Sequence, residues 1–384
     1  MSGGEALKDR YRFHCKAWRF FNRLIRPFIN RKFNLKSEYV NVDGPCIIIS
    51  NHVTDYDPLL LSQSFPDKHF YFVASEHIFR LGFVSRLLEY FLAPIPKRKA
   101  SLGTDTVMSC LRHLRAGHSV CIFAEGDASW DGLTHNVFPA TGKLVRNSGA
   151  SLITYKLEGA YLSRPRWRTK ISRGRVYGHK VKVYSPEKLK AMRPEEITAA
   201  INADIYEDAW ERQKTERTVY DCADPAENIE QALFMCPKCA KVGTVAGSGK
   251  RVFCTHCGFE TFFDELGFFD PPEPFENLAQ WDKWQHENIL SDTSSHSELF
   301  GDEGLVLNEI GTDHTETALC TGRLGAYTDR LEICGNAFAL SEISMMAMVQ
   351  KKSLLFSHGN KYYELKADKV LCLRKYLALW NALR

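Results

Sequence analysis

Asn51 and His52 follow the apolar run Cys46-Ile47-Ile48-Ile49, and Asp57 stands five residues after His52. A histidine with a carboxylate in reach is how a general base is built. Neutral imidazole takes a proton near pH 7, and the carboxylate fixes its tautomer and steadies the imidazolium. Polar residues also belong at any strand exit as turn formers, so the pair draws its weight from its surroundings. Of the thirteen histidines only His52 has an aspartate five positions on, and thirteen trials make one chance match unremarkable. Two further strand exits are polar as well. Phe123-Ala124-Glu125-Gly126-Asp127-Ala128-Ser129 follows one apolar run, and Ile95-Pro96-Lys97-Arg98 places a basic pair at the end of another.

A second group suits a metal. Cys236-x-x-Cys239 and Cys254-x-x-Cys257 are separated by fourteen residues. Each pair suits a tight turn that points two thiolates at one ion. Four thiolates close a tetrahedral site with no open position, which fits structural rather than catalytic zinc. The two knuckles resemble a zinc ribbon. Ribbons can bind nucleic acid, but the intervening TVAGSGKR offers two basic residues and no aromatic platform, so no nucleic-acid partner is expected.

These side chains need elements to hold them. Between residues 45 and 185, short β-branched or aromatic runs (CIIIS, FYFVA, SVCIFA, SLITYKL) alternate with helical stretches at 77–91, 103–116 and 141–148. That alternation predicts an α/β domain with a mostly parallel sheet covered by helices. Such sheets carry their sites at the carboxyl ends of strands, where His52 and Glu125-Gly126 fall. Residues 195–217 predict one charged helix that closes the domain. Residues 264–304 are acidic and contain Pro and Ser, as a linker would. From 305 onward short strands with turns precede a terminal helix, the pattern of a small barrel or sandwich.

The order and spacing of these blocks resemble the glycerolipid acyltransferase superfamily, whose best-known members are lysophosphatidic acid acyltransferases. Its pattern is Asn-His-x-x-x-x-Asp, an arginine-containing block, a Phe-Pro-Glu-Gly-Thr-Arg-Ser-like block, and an apolar strand with proline. Asn51, His52 and Asp57 match the first block fully, and Arg98 best matches the second. Phe123, Glu125, Gly126 and Ser129 match the third, whereas Ala124, Asp127 and Ala128 depart from it, and the stretch around Leu152 lacks the proline. The resemblance covers residues 10–215. It implies O-acyl transfer from acyl-CoA or acyl-carrier protein to a lipid hydroxyl, with His52 as base and Asp57 orienting it. Asn51, Lys97, Arg98, Glu125 and Gly126 would form the acceptor site, with Arg98 and Lys97 facing a phosphate. Ala128 cannot pair with that phosphate and Asp127 would repel it, which puts glycerol-phosphate acceptors in question and leaves neutral or zwitterionic lipids open. A catalytically degenerate membrane adaptor is the rival reading. The last segment, GRLGAYTDRLEI onward, is similar to pleckstrin-homology-like and GRAM-like domains.

Composition sets the remaining bounds. A hydrophobic content of 44% and a charged content of 25% are globular, and 384 residues exceed what one core usually organises. The net charge of +4 hides an asymmetry: residues 1–40 carry +7, leaving −3 for the rest. Residues 5–26 predict a basic amphipathic helix that Pro27 ends or kinks. Leu7, Tyr11, Trp18, Phe21, Ile25 and Phe28 share one face, and Arg12, Lys16, Arg19, Arg23 and Arg26 another. Such a helix fits an anionic membrane surface, and equally a surface helix packed on the protein's own core with its charges in solvent. No run approaches 18 apolar residues, so a peripheral membrane partner is expected rather than a spanning one. The polar N-terminus reads as no secretion signal, and twelve cysteines then read as reduced or metal-bound in the cytoplasm, on the inner face of a membrane. The expected segments are 1–36 (helix), 37–220 (acyltransferase domain), 230–265 (ribbon), 266–303 (linker) and 304–384 (PH-like barrel with terminal helix).

Overall fold

The apolar runs of the first half become inner strands of one sheet, because strands covered on both faces must be apolar along their whole length. The computed structural model describes residues 3–75, 78–79, 82–97, 103–291, 297–311 and 315–384, with side chains from residue 10 onward. Its chain divides into two units, Met1–Arg166 with Ile171–Asp221, and Trp167–Lys170 with Cys222–Arg384.

The first unit holds strands β1 (Leu35–Ser37), β2 (Cys46–Ser50), β3 (Phe70–Ser75), β4 (Ile95–Lys97), β5 (Ser119–Ile122), β6 (Ser151–Glu158) and β7 (Val176–Tyr184). They lie in the order β1-β7-β6-β2-β5-β3-β4, and every pairing is parallel except β6 with β7. β2 is buried throughout, between β5 and β6. Parallel neighbours end on the same side of a sheet. The rung Ile49–Ile122 therefore leaves His52 and Glu125 each three residues past the same level. Helices at Phe83–Phe91, Thr104–Arg115 and Ala140–Asn147 occupy the connections.

Helix α1 spans Gly3–Phe33 and does not end at Pro27. A proline inside a helix costs about 3 kcal/mol. Ile29 and Phe33 beyond it are fully buried, and each such side chain returns about 1.5–3 kcal/mol. The buried stripe of α1 is His14, Trp18, Asn22, Ile29 and Phe33. Phe28, expected on that stripe, is instead exposed with Phe20 and Leu24. The single helix expected over 195–217 is two, Pro194–Ile205 and Ala209–Glu216. Asp208 caps the second by accepting the N–H groups of Trp210 and Glu211, at 2.9 and 3.0 Å.

In the second unit, β8 (Val245–Ser248), β9 (Arg251–Cys254), β10 (Glu260–Phe263) and β11 (Phe269–Asp270) form an antiparallel sheet. The stretch expected to be a linker continues this unit rather than joining two. It supplies β11 and a helix at Leu278–Asn288, whose Leu278, Trp281, Asp282 and Gln285 are buried. Arg374 grips Asp282 at 2.5 and 2.6 Å, and the Gln285 amide oxygen accepts from the N–H groups of Phe234 and Met235. A buried Asp and Gln on the inward stripe hid this helix from a hydrophobic pattern. Seven further strands follow: β12 (Phe300–Ile310), β13 (Glu316–Ala326), β14 (Arg330–Ile333), β15 (Asn336–Ala339), β16 (Ile343–Val349), β17 (Ser353–His358) and β18 (Lys361–Ala367). They pair antiparallel in the order β15-β14-β13-β12-β18-β17-β16, and a helix at Arg374–Ala382 follows. Among the described residues no ladder joins β15 to β16, so pairing does not close the barrel expected from the sequence. A 3-10 turn at Leu340–Glu342 separates the two strands. Residues 167–170 belong to this unit: Trp167 stacks on Phe263 with centroids 6.2 Å apart, and the N–H groups of Thr169 and Lys170 donate to Glu227.

Candidate active site and cysteine cluster

Asp57 opens the helix α2 (Asp57–Ser62), and its carboxylate turns back onto the loop that leaves β2. Its Oδ2 accepts the N–H groups of Val53 and Thr54 at 2.6 and 3.0 Å and lies 2.7 Å from His52 Nδ1. A carboxylate can only accept here, so Nδ1 carries the hydrogen and Nε2 keeps the lone pair. Asp57 has no exposed surface, whereas the His52 side chain is 23% exposed. Burial raises the Asp57 pKa, opposed by these hydrogen bonds. The His52 ring stacks on Phe123, with centroids 4.7 Å apart.

The loop after β5 holds the backbone of His52 at both ends. Glu125 accepts the His52 N–H at 2.6 Å through one oxygen and the His135 N–H at 2.7 Å through the other. The Ser129 N–H donates to the His52 carbonyl at 2.9 Å. Both carboxylate oxygens of Glu125 thus accept backbone N–H groups and hold the loop that carries His52, whereas the sequence expects Glu125 in the acceptor site. Burial pushes its pKa up to about 8 against those two hydrogen bonds. Gly126 has φ +90°, and a Cβ there would lie 2.4 Å from the Phe138 ring and 3.4 Å from Lys97 Nζ. The buried Lys97 ammonium sits 4.5 Å from the centroid of Phe138. Lys97 and Gly126 are therefore neighbours. Arg98 lies outside the described residues.

Asn51 does not reach the site surface. It is fully buried, donates to the Leu157 carbonyl at 2.9 Å and accepts the Leu157 N–H at 2.8 Å, which ties β2 to β6. Its expected role in substrate contact is corrected to one of positioning. The sequence reading missed its further partner Glu207, 3.3 Å away, which also binds the Gly159 N–H and Arg212. The signal was the Asp208-x-x-Glu211 capping pattern, which marks the helix break that turns Glu207 inward. It also missed Arg166. This buried guanidinium pairs with Asp127, donates to the Ala128 carbonyl at 3.1 Å and lies 4.4 Å from the Trp130 ring. The altered third block is thus not bare of arginine, and Asp127 is not an unneutralised charge.

The four cysteine sulfurs all lie within 4.8 Å of one another. Four sulfurs about 2.3 Å from one ion stand about 3.8 Å apart. Here Cys236 and Cys257 are 3.6 Å apart and Cys239 and Cys254 are 3.8 Å apart, so the set fits a closed thiolate site. The knuckles share one geometry. The Ala240 N–H donates to the Cys236 carbonyl and the Gly258 N–H to the Cys254 carbonyl, and both residues take positive φ, 57° and 72°.

Residues 32–157 match the family model described as Acyltransferase, a stretch that includes His52, Asp57, Lys97, Glu125 and Gly126 and excludes the four clustered cysteines. A crystal structure of the 1-acyl-sn-glycerophosphate (LPA) acyltransferase PlsC from Thermotoga maritima is similar at 17% identity and a TM-score of 0.41. The match covers 53% of this chain and 79% of that one. No curated protein sequence matches the chain.

Proposed function

We propose that this protein moves a fatty acyl group from an acyl thioester, acyl-CoA or acyl-carrier protein, to the hydroxyl of a lysophospholipid or related lipid. The His52–Asp57 pair, clamped by Glu125 and Ser129 at the ends of adjacent parallel strands, carries this reading. His52 Nε2 takes the proton of the acceptor hydroxyl, and the oxygen attacks the thioester carbonyl. The thiolate leaves and receives that proton from the imidazolium, which Asp57 steadies throughout. No serine or cysteine nucleophile is required, since the thioester is already activated. Lys97, beside Gly126, would pair with an acceptor phosphate. Arg166 neutralises Asp127, so phosphate-bearing and zwitterionic acceptors both stay in the substrate class.

The remaining parts follow the same reading. Zinc in the four thiolates holds the second unit together. The strand order of the C-terminal sheet, two meanders joined by their first and last strands and followed by a helix, supports a PH-like module. The basic face of α1 supports attachment to the cytoplasmic face of a membrane, and among the described residues no helix is long and apolar enough to cross one. The test is thiol release from acyl-CoA and acyl-carrier protein with a panel of lysophospholipids, monoacylglycerols and other hydroxyl lipids. Wild type should show acceptor-dependent release that falls by at least about 10²-fold in His52→Ala. Folded, zinc-loaded protein that turns over no acceptor would replace this reading with the non-catalytic adaptor.

A further inference from the structure

The last turn of α1 carries Arg31 and Lys32, and Arg173 stands on the segment leading into β7. With Phe28 and Ile171 they line a cleft of about 330 Å³ that has no acidic side chain in its wall. None of the three cations has an ion pair among the described residues. Basic residues in a last helical turn are ordinary, because they complement the helix dipole. The dipole does not account for Arg173, which comes from another part of the chain, nor for the apolar residues beside it. Phe28 is 60% exposed, and Leu24 and Phe20, one and two turns back, are 61% and 62% exposed. Residues four apart share a helix face. An apolar line therefore runs along α1 and ends at three cations.

That sequence of surfaces matches a molecule with acyl chains behind a phosphate. We propose that this cleft holds the headgroup phosphate of an anionic phospholipid in the bilayer surface, with Phe20, Leu24 and Phe28 against its acyl region. Guanidinium and ammonium groups bind phosphate through charge-assisted hydrogen bonds. A zwitterionic headgroup would bring its own ammonium against the same cations, so the cleft selects net negative lipids. Phe33, next along the chain from Lys32, packs on Tyr56 with ring centroids 5.0 Å apart, and Tyr56 lies in the loop between His52 and Asp57. A lipid held here therefore fixes the bilayer edge beside that loop. The proposal rests on the reading that the protein works on a bilayer, and adds to it the class of lipid that holds the protein there.

The test is co-sedimentation of the full chain with vesicles of phosphatidylcholine alone and of phosphatidylcholine mixed with phosphatidylglycerol. Wild type should favour the mixed vesicles. Lys32→Ser with Arg173→Ser should lower partitioning onto them by about 25-fold, at about fivefold per cation, and leave binding to phosphatidylcholine unchanged. Lys188→Ser with Lys190→Ser removes the same charge from another exposed helix and should stay within about twofold, since the effect falls off within a Debye length of about 8 Å. Equal losses in the two double variants would reduce the effect to net charge and overturn the cleft. Equal binding of wild type to both vesicles would overturn it too while leaving the bilayer reading standing. Binding to neither vesicle would end both. Displacement by soluble glycerol phosphate at matched ionic strength would reassign the cleft to a free phosphate and overturn the lipid.

Discussion

At His52 the holding contacts come from far along the chain: Glu125 on its N–H, Ser129 on its carbonyl, Leu157 and Glu207 on its neighbour Asn51. At the cysteines they are local, each knuckle closed by an N–H returned to a carbonyl four residues back. The difference is one of what must already be folded. The His52–Asp57 pair is aligned only when β2, β5 and β6 are in register and Glu207 is turned inward. The knuckles form within a few residues, and an ion bound by the four thiolates would draw the two of them together. One centre is stabilised by the fold around it, and the other, with an ion bound, would stabilise the fold around itself.

The largest expected effect separates the two. Structural zinc contributes about 10–16 kcal/mol of apparent binding free energy in small zinc-dependent units. Chelation, or Cys254→Ser, should abolish the melting transition of the second unit and leave that of the first in place, followed by calorimetry. One unchanged transition after metal removal would break the comparison. Next comes Asp57→Asn, which can no longer hold the Nδ1–H tautomer as a carboxylate does. Acyl transfer should fall about 10²–10⁴-fold with little change in melting. Asn51→Ala should do the reverse: it strips two buried backbone groups of Leu157, at about 1–3 kcal/mol each, and shows mainly as a lower Tm.

The pH response should differ as well. Glu125 has its pKa raised to about 8, so the folded state holds its proton longer than the unfolded chain does. Its contribution is complete below the ordinary carboxylate range and is lost as pH rises towards 8, by at most about 1.4 kcal/mol per pH unit. Glu125→Gln should flatten that decline in urea titrations of the first unit. His69 and His113 work in the opposite sense. Burial lowers them to about 3 and about 4, so their contribution is present above pH 6.5 and fades as pH falls towards those values. Acid should also release metal from the cysteines, because thiolates must be deprotonated to ligate. The smallest effect compares the knuckles themselves. Gly258→Ala puts a side chain at positive φ and should cost about 1 kcal/mol, while Ala240→Gly relieves the same strain and should change stability by less than that.

The same contrast decides what a reader of the sequence can see. Cys-x-x-Cys pairs, a histidine before an aspartate, and apolar strands separated by helical stretches are short-range patterns, and each falls where the residues place it. Glu207 and Arg166 are invisible by the same logic, since their meaning depends on partners at Asn51 and Asp127 that only the sheet brings near. Glu125 and Asn51 were legible as belonging to the site but not in their roles, because a polar residue near a base reads as a ligand until its partners are known. Helix Leu278–Asn288 escaped because its inward face carries Asp282 and Gln285, and Pro27 misled because two buried residues beyond it outweigh one lost hydrogen bond.

Residues 167–170 add a consequence for anyone who would cut this protein in two. The chain passes from the first unit into the second, back again, and out once more at Asp221. A fragment ending there keeps Trp167 and loses Phe263, and keeps the Thr169 and Lys170 amides while losing Glu227. It would carry a stranded indole into solution as a sticky spot for aggregation. No single scission yields a clean first unit, and recombination at this junction cannot shuffle that unit to a new neighbour without taking the cysteine-bearing unit along.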